Sequence, residues 1–221
     1  MPASALTATG YLLQEVRLAN DDSLLIFFTA EFGKIKVFAS KLQRSKKKRA
    51  EIDYFRRLEL GLWKPKEHFK LKSVCALQDY APRLEPYARV AASFEGLKQV
   101  NHFCPEETVL TEIEQLMEEW WHLNHWDLAL AEVYFYTKLL WHSGILPRFD
   151  DVRSAVWVDP IRLEFFTTGN ESRFELTNKQ RQMLEWVRRG SATEISVKCD
   201  DFEVEDWQVL RSLLQEIIKN H

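Results

Sequence analysis

Cysteine, glycine and proline are scarce in this chain, and long apolar runs are missing. The three cysteines, Cys75, Cys104 and Cys199, are an odd number with no C-x-x-C pair. That excludes a disulfide framework and leaves them as small apolar residues of a reducing compartment. Seven glycines and seven prolines in 221 residues leave little material for linkers or low-complexity tracts. No apolar stretch approaches the roughly 20 residues that span a bilayer, and residues 1–6 lack the basic-then-apolar build of a secretory signal. The expected location is therefore the cytoplasm, with no membrane partner. The chain has no internal repeat, no G-x-S-x-G, no phosphate-cradling glycine loop and no paired Cys/His signature, so neither enzymatic turnover nor a cofactor is expected.

What the chain has in excess is local charge. Overall it is nearly balanced, with 30 Lys+Arg against 33 Asp+Glu. Residues 33–72 nevertheless carry 14 basic and four acidic side chains, a net of +10, whereas residues 81–221 carry 15 basic and 24 acidic ones, a net of −9. The densest run is Lys41, Arg44, Lys46, Lys47, Lys48 and Arg49, read here as a solvated loop between strands. A strand-rich module with a cationic loop suits a polyanion, and an acidic helical half does not.

The periodicities divide the chain near residue 80. Residues 7–17, 24–29, 34–39, 58–63 and 70–77 read as five short strands, with 20–23 and Gly33 as turns. Five strands with one long loop in about 80 residues is the arrangement of a small OB-type barrel. Beyond Pro82 and Pro86 the period becomes helical, over 87–100, then from Pro105 through Trp121 with Glu106 and Glu107 in its first turn. A third helix over 127–142 is apolar on most sides and is expected to be central. Residues 155–176 read as short strands, and helices over 178–189 and 204–220 close the chain. The expected class is α+β: an OB-fold over 1–80 and a helical domain over 81–221 with a small strand insertion.

Candidate chemistry follows from these placements. Lys34 and Lys36 share a strand face, Arg56 and Arg57 open the next strand, and Lys64, Lys66, Lys70 and Lys72 follow in the same module. Such a set neutralises phosphates with counterion release and needs no particular base sequence. Tyr54 and Trp63 are the candidates for stacking exposed bases, Trp63 because it lies opposite the leucine face of its strand. Phe38 and Phe55 are expected in the core. The plain alternative for the basic run is a solvated surface. His122 and His125, with Asp127 nearby, have the spacing of a metal pair on a helix but lack further ligands, so they read as packing or capping residues and no metal is expected. Asp150 with Asp151 and Asp200 with Asp201 are pairs that a Mg²⁺-dependent nuclease could use, although both adjoin turns where Asp caps helices.

Leu24–Phe28 followed by Thr29-x-Glu31-x-Gly33-Lys34, the basic stretch, and a helix exit at Gly144-x-x-Pro147-Arg148 resemble the bacterial recombination mediator family RecO. The resemblance covers most of the chain in element order through short motifs. It implies binding of single- and double-stranded DNA, annealing of complementary strands, and help in loading recombinase onto strands coated by single-strand-binding protein. The implied partners are that protein's acidic, apolar C-terminal tail and the ring-forming mediator RecR. Many members bind zinc through cysteines after the helix exit; Phe149, Asp150 and Asp151 stand there instead, so no zinc ligand set carries over. A tail needs a cation beside aromatic surface, and Lys138 with Arg148, near Tyr134, Trp141 and Leu146, are the candidates. A different class of reading is an adaptor whose helical domain does the work while the basic module is an electrostatic anchor.

Overall fold

The computed structural model describes residues 5–66, 68–85, 87–123, 125–146, 156–166, 173–198 and 202–221. The protein is α+β, with a five-stranded N-terminal sheet followed by helices. Its contacts divide into two compact units, Met1–Asn124 and His125–His221.

In the first unit the strands are β1 (Ala5–Arg17), β2 (Ser23–Thr29), β3 (Gly33–Ala39), β4 (Arg56–Trp63) and β5 (Phe69–Asp79). Pairing runs β1-β2-β3-β5-β4 and returns to β1, closing the sheet as a barrel. Only β3 and β5 run parallel, touching at Val37 with Phe69 and Phe38 with Lys70. β1 serves two neighbours: Ala5–Tyr11 pairs with β4 and Gly10–Arg17 with β2, across a register shift between Leu12 and Gln14. Such an irregularity bends a strand and lets it turn a barrel corner. The strict alternation of apolar residues then fills the inside. Leu12, Leu25, Phe27, Ile35, Val37, Leu58, Leu60 and Leu62 are all buried there, and Leu42 and Ile52 from the β3–β4 connection join the same cluster.

That connection is not the loop expected from its lysines. Residues Lys46–Glu51 form helix α1, opened by Ser45, whose side chain accepts a hydrogen bond from the Lys48 amide at 3.4 Å. Its far end is tied down more firmly. The Arg56 guanidinium donates to the Ala50 carbonyl at 2.8 Å, and Glu51 accepts from the Ala76 amide at 2.9 Å. A cation on the last carbonyls is favoured by the helix dipole; lysines in the first turn are not.

Helices α2 (Tyr87–Phe103) and α3 (Thr111–His122) belong to the barrel's unit rather than to the helical half. The chain reverses at Pro82 through a single 3₁₀ turn, Ala81–Arg83, and α2 returns onto β1. Small residues on its buried face (Ala92, Ser93, Gly96) permit that approach. Trp121 of α3 packs edge-on against Tyr11 of β1, with ring centroids 4.9 Å apart, and lies 5.0 Å from Tyr80. The expected division at residue 80 therefore differs from the one observed, because the outer face of the sheet carries buried aromatics that need α3. A second difference lies just before α3. Residues 105–110 are not its first turn; Glu106 instead bridges Lys34 in a parallel sense, and the Glu107 amide donates to the Lys34 carbonyl at 2.9 Å. Gly33 makes this possible: it has φ +64°, and a Cβ there would stand 1.8 Å from the Thr108 carbonyl oxygen.

In the second unit α4 (Leu128–His142) is buried on nearly every side and packs on α5 (Asn178–Arg189) and α7 (Val204–Asn220). Its one buried acid, Glu132, pairs with Arg211 of α7. Gly144, with φ +74°, ends α4. The strands expected over 155–176 are β6 (Val156–Asp159), β7 (Glu164–Phe166) and β8 (Phe174–Leu176), paired in the order β7-β6-β8; the turn expected at Gly169-Asn170 lies outside the described residues. Helix α6 (Ala192–Lys198) has no counterpart in the sequence reading. Its signal was the spacing Ser191-x-x-Glu194: each side chain bonds the other's backbone amide, at 3.3 and 2.7 Å.

Because Trp121 covers Tyr11 and Tyr80, a fragment of residues 1–124 is expected to fold by itself, whereas 1–80 exposes that aromatic face. Amide dispersion in NMR and a cooperative urea transition for 1–124, with neither for 1–80, are the expected outcomes. A cooperatively folded 1–80 would remove α2 and α3 from the barrel's stability.

Candidate nucleic-acid interface

The basic side chains of residues 33–72 separate into two classes. Six are ion-paired, and every partner lies outside the basic segment. Lys36 pairs with Glu106 at 2.5 Å, Arg44 with Asp21 at 2.5 Å and Arg49 with Glu15 at 3.1 Å. Arg56 pairs with Asp79 at 2.8 Å, Arg57 with Glu118 and Glu114 at 3.1 and 3.4 Å, and Lys64 with Glu107 at 3.1 Å. The Lys34 ammonium donates to the Asn101 carbonyl at 2.6 Å.

Several of these pairs hold the fold. Glu15 is only 9% exposed and also accepts from Ser23 at 3.1 Å and Gln43 at 2.9 Å, so Arg49 closes a network between β1 and the basic segment. Arg57 sits among Tyr11, Tyr80, Glu114 and Glu118. Burial opposes its charge, but the negative neighbours outweigh that and hold its pKa above the ordinary guanidinium value. Burial raises Glu114 above the usual carboxylate range against the pull of Arg57. Burial, then a hydrogen bond to Glu118 at 3.0 Å, pushes the Tyr80 hydroxyl up to about 12. Lys34, Arg49, Arg56 and Arg57 were expected to face a polyanion; the structure places them in internal contacts instead.

Among the described residues of 33–72, seven lysines have neither an ion-pair partner nor, as Lys34 has, a hydrogen bond from the ammonium: Lys41, Lys46, Lys47, Lys48, Lys66, Lys70 and Lys72. Lys46 and Lys47 open the first turn of α1, where their charges oppose the helix dipole, while Lys48 already belongs to the last turn of this six-residue helix. Lys41 precedes them with φ +50°, a left-handed conformation that reverses the chain. This is a run of cations that local stability does not ask for.

A second group surrounds Trp63. The Nζ atoms of Lys70 and Lys72 lie 5.4 and 4.7 Å from its ring centroid. Leu58, Leu60 and Leu62 point into the barrel, which leaves Trp63 half-buried on the outer side, as its place opposite the leucine face predicts. Tyr54 differs from expectation: it packs against the barrel core and edge-on to Phe94 at 5.1 Å. Phe55 is buried but lies outside the barrel core, against Phe94 and Trp121. Phe38 is half-buried and is not part of the core cluster either. Lys70 and Lys72 share the Trp63 ring, and the alternating pattern Phe69–Leu71 inward, Lys70–Lys72 outward is the signal that places them.

The remaining candidates divide by element. The His122 ring bonds the Glu118 carbonyl at 2.7 Å, and Asp127 caps α4 by accepting from the Ala129 and Leu130 amides. No group of three potential metal ligands occurs among the described residues. Asp150, Asp151, Asp200, Asp201 and Arg148 lie outside the described residues. Lys138 is half-buried with its ammonium 5.6 Å from the Tyr134 ring. Tyr134 and Leu146 are buried, and the Arg188 guanidinium covers Trp141 at 4.1 Å, so little aromatic surface is presented beside Lys138. The second unit instead has an open cleft of about 500 Å³ lined by Trp186, Arg189, Gly190, Glu194 and Val197. No helix among the described residues is long and apolar enough to cross a membrane.

The two classes of cation predict opposite responses. Replacing Lys46, Lys47 and Lys48 together by Ala is expected to leave the urea midpoint unchanged or slightly raised, since Ala favours helix and the unfavourable charges of Lys46 and Lys47 leave the first turn. Arg57→Ala strands two carboxylates and is expected to lose about 2 kcal/mol, discounted from a fully buried pair because Arg57 is about one-third exposed. A triple lysine variant that unfolds early would make the lysines structural. No protein-family model matches the chain, and no curated protein matches it.

Proposed function

We propose that the chain is a nucleic-acid-binding recombination mediator of the RecO type, working through an OB-type barrel. The strand order β1-β2-β3-β5-β4, the parallel β3–β5 contact and the helix between β3 and β4 support the OB assignment. One observation carries the binding role: four lysines on and before α1 and three more around the β4–β5 turn lack ion-pair partners among the described residues, whereas six other cations of the same basic segment are paired. Unpaired cations at this density repel one another and are stabilised by a polyanion.

In this reading Lys41, Lys46, Lys47, Lys48, Lys66, Lys70 and Lys72 neutralise phosphates of single- or double-stranded DNA, and Trp63 stacks an unpaired base. Neutralising two backbones at once lowers the repulsion between complementary strands, which is the physical basis of annealing. No turnover or cofactor is required, and the setting is the cytoplasmic repair of DNA alongside RecR. The acidic, apolar tail of single-strand-binding protein needs a greasy wall with a cation. The cleft of Trp186 and Val197 supplies the wall, and Arg189, which a tail carboxylate would have to draw from Glu185 at 3.2 Å, supplies the cation.

Binding to oligo-thymidylate is expected to fall steeply with salt; if about five phosphates are neutralised, the log–log slope is roughly −3.5. The Lys46, Lys47 and Lys48 triple Ala variant should flatten that slope, and Trp63→Ala should weaken binding about tenfold at constant slope. A flat salt dependence contradicts the phosphate surface, and Mg²⁺-dependent cleavage of the oligonucleotide would favour a nuclease. For the tail, Trp186→Ala is expected to abolish anisotropy change with a labelled acidic peptide while leaving DNA binding unchanged; unaltered peptide affinity removes this cleft from the reading.

A further inference from the structure

β3 meets β5 only at Val37 and Phe38, so Lys34–Lys36 have no strand partner on the β5 side. Glu106 and Glu107 take that place through the parallel bridge Lys34–Glu106 and the Glu107 amide bonded to Lys34. Beside them is a cleft of about 500 Å³. Lys34 and Lys36 line it from β3, Lys64, Lys66 and His68 from the β4–β5 turn, and the two glutamates complete it. The carboxylates sit on the cations: Glu106 on Lys36 at 2.5 Å and Glu107 on Lys64 at 3.1 Å, while the Lys64 ammonium also lies 4.3 Å from the Phe69 ring.

Three observations say that these carboxylates are exchangeable ligands rather than a structural lock. Glu106 and Glu107 are 55% and 59% exposed, so their pairs are weak and screened. Glu107 has φ +51°, a left-handed conformation that a Gly or Asn would adopt with less strain. Even with both acids in place, Lys36, Lys64 and Lys66 outnumber them among the described residues, the Lys34 ammonium being held by the Asn101 carbonyl, and Lys66 has no ion-pair partner there. The hydrogen bond from Lys36, together with its charge, holds the Glu106 carboxyl below its ordinary range, so it is a standing anion at neutral pH.

We propose that this cleft is a phosphate subsite of the nucleic-acid surface and that Glu106 and Glu107 gate it as built-in competitors. A phosphodiester enters by displacing the two carboxylates from Lys36 and Lys64, and Lys66 and His68 complete its coordination. The gate sets a threshold: an isolated phosphate competes poorly with two tethered carboxylates, while a strand already held elsewhere on the surface presents its next phosphate at high effective concentration. The inference rests on the nucleic-acid reading and adds a regulated site to it.

The test compares full-length wild type, Glu106→Gln/Glu107→Gln, and Glu85→Gln/Glu112→Gln, which removes the same charge from exposed positions not lining the cleft. Each is titrated with fluorescein-labelled oligo-thymidylate over a salt series, after urea melts establish equal folding. The cleft variant is expected to bind about three- to tenfold more tightly than wild type, with a slope steeper by about 0.7 for each further phosphate engaged. Adding Lys36→Ala and Lys64→Ala should erase that gain. Wild-type binding with no gain in the cleft variant, or an equal gain in the control, overturns the gate and leaves the nucleic-acid reading standing. Absence of binding by all three proteins overturns both. A cleft variant that fails to fold contradicts the gate too, since its carboxylates are then a structural lock.

Discussion

Fourteen cations within forty residues repel one another, and the first unit depends on where their counter-charges come from. The basic segment holds only four acids of its own, and none of the ion pairs described uses one of them. The counter-charges come from the β1–β2 corner, the end of β5, the segment before α3, and α3 itself. The fold therefore draws acids from residues 106–118 back onto the barrel. Through Glu114 and Glu118 that requirement adds to the aromatic contact of Trp121 with Tyr11 and Tyr80 in holding α3 against the strands.

Once those acids are placed, the cations that remain acquire meaning. An exposed ion pair contributes little to stability, so its absence around Lys46, Lys47 and Lys48 carries no penalty by itself. The position of Lys46 and Lys47 in the first turn of a six-residue helix is a different matter, because the dipole there favours anions. Ser45 offsets part of this at one end, while Arg56 and Glu51 fix the other. The helix is held by its C-terminal end so that its N-terminal end can present charge. The same division recurs around Trp63, where inward leucines fix β4 and leave the indole with two lysines outside.

The strands were legible because residues inside a small barrel alternate strictly, as Leu58, Leu60 and Leu62 do. The lysine run reads as a loop because lysines opening a first turn, as Lys46 and Lys47 do, go against helix chemistry; Leu42 and Ile52, which pin the segment to the core, are too far apart to show a period. Pro82 marked a real reversal but not a domain boundary, since whether a helix leaves or returns depends on what it packs against. Glu106 and Glu107 carry the signature of a helix start, whereas Gly33, 73 residues before Glu106, is what admits that segment to the barrel edge. Charge composition singled out the basic segment but could not sort its members. Lys36, Arg49 and Arg57 look like Lys46 or Lys70 until Glu106, Glu15 and Glu118 are placed beside them.

The central claim is that nucleic acid lies on the unpaired lysines and Trp63 of the barrel. Photo-crosslinking tests it most directly, using a thymidine oligonucleotide substituted with iodouracil and mapping adducts on the full-length protein by mass spectrometry. The account predicts adducts at Trp63 and within peptides spanning Lys41–Lys48 and Lys66–Lys72. Adducts confined to the unit His125–His221, or spread evenly over the chain, would contradict it.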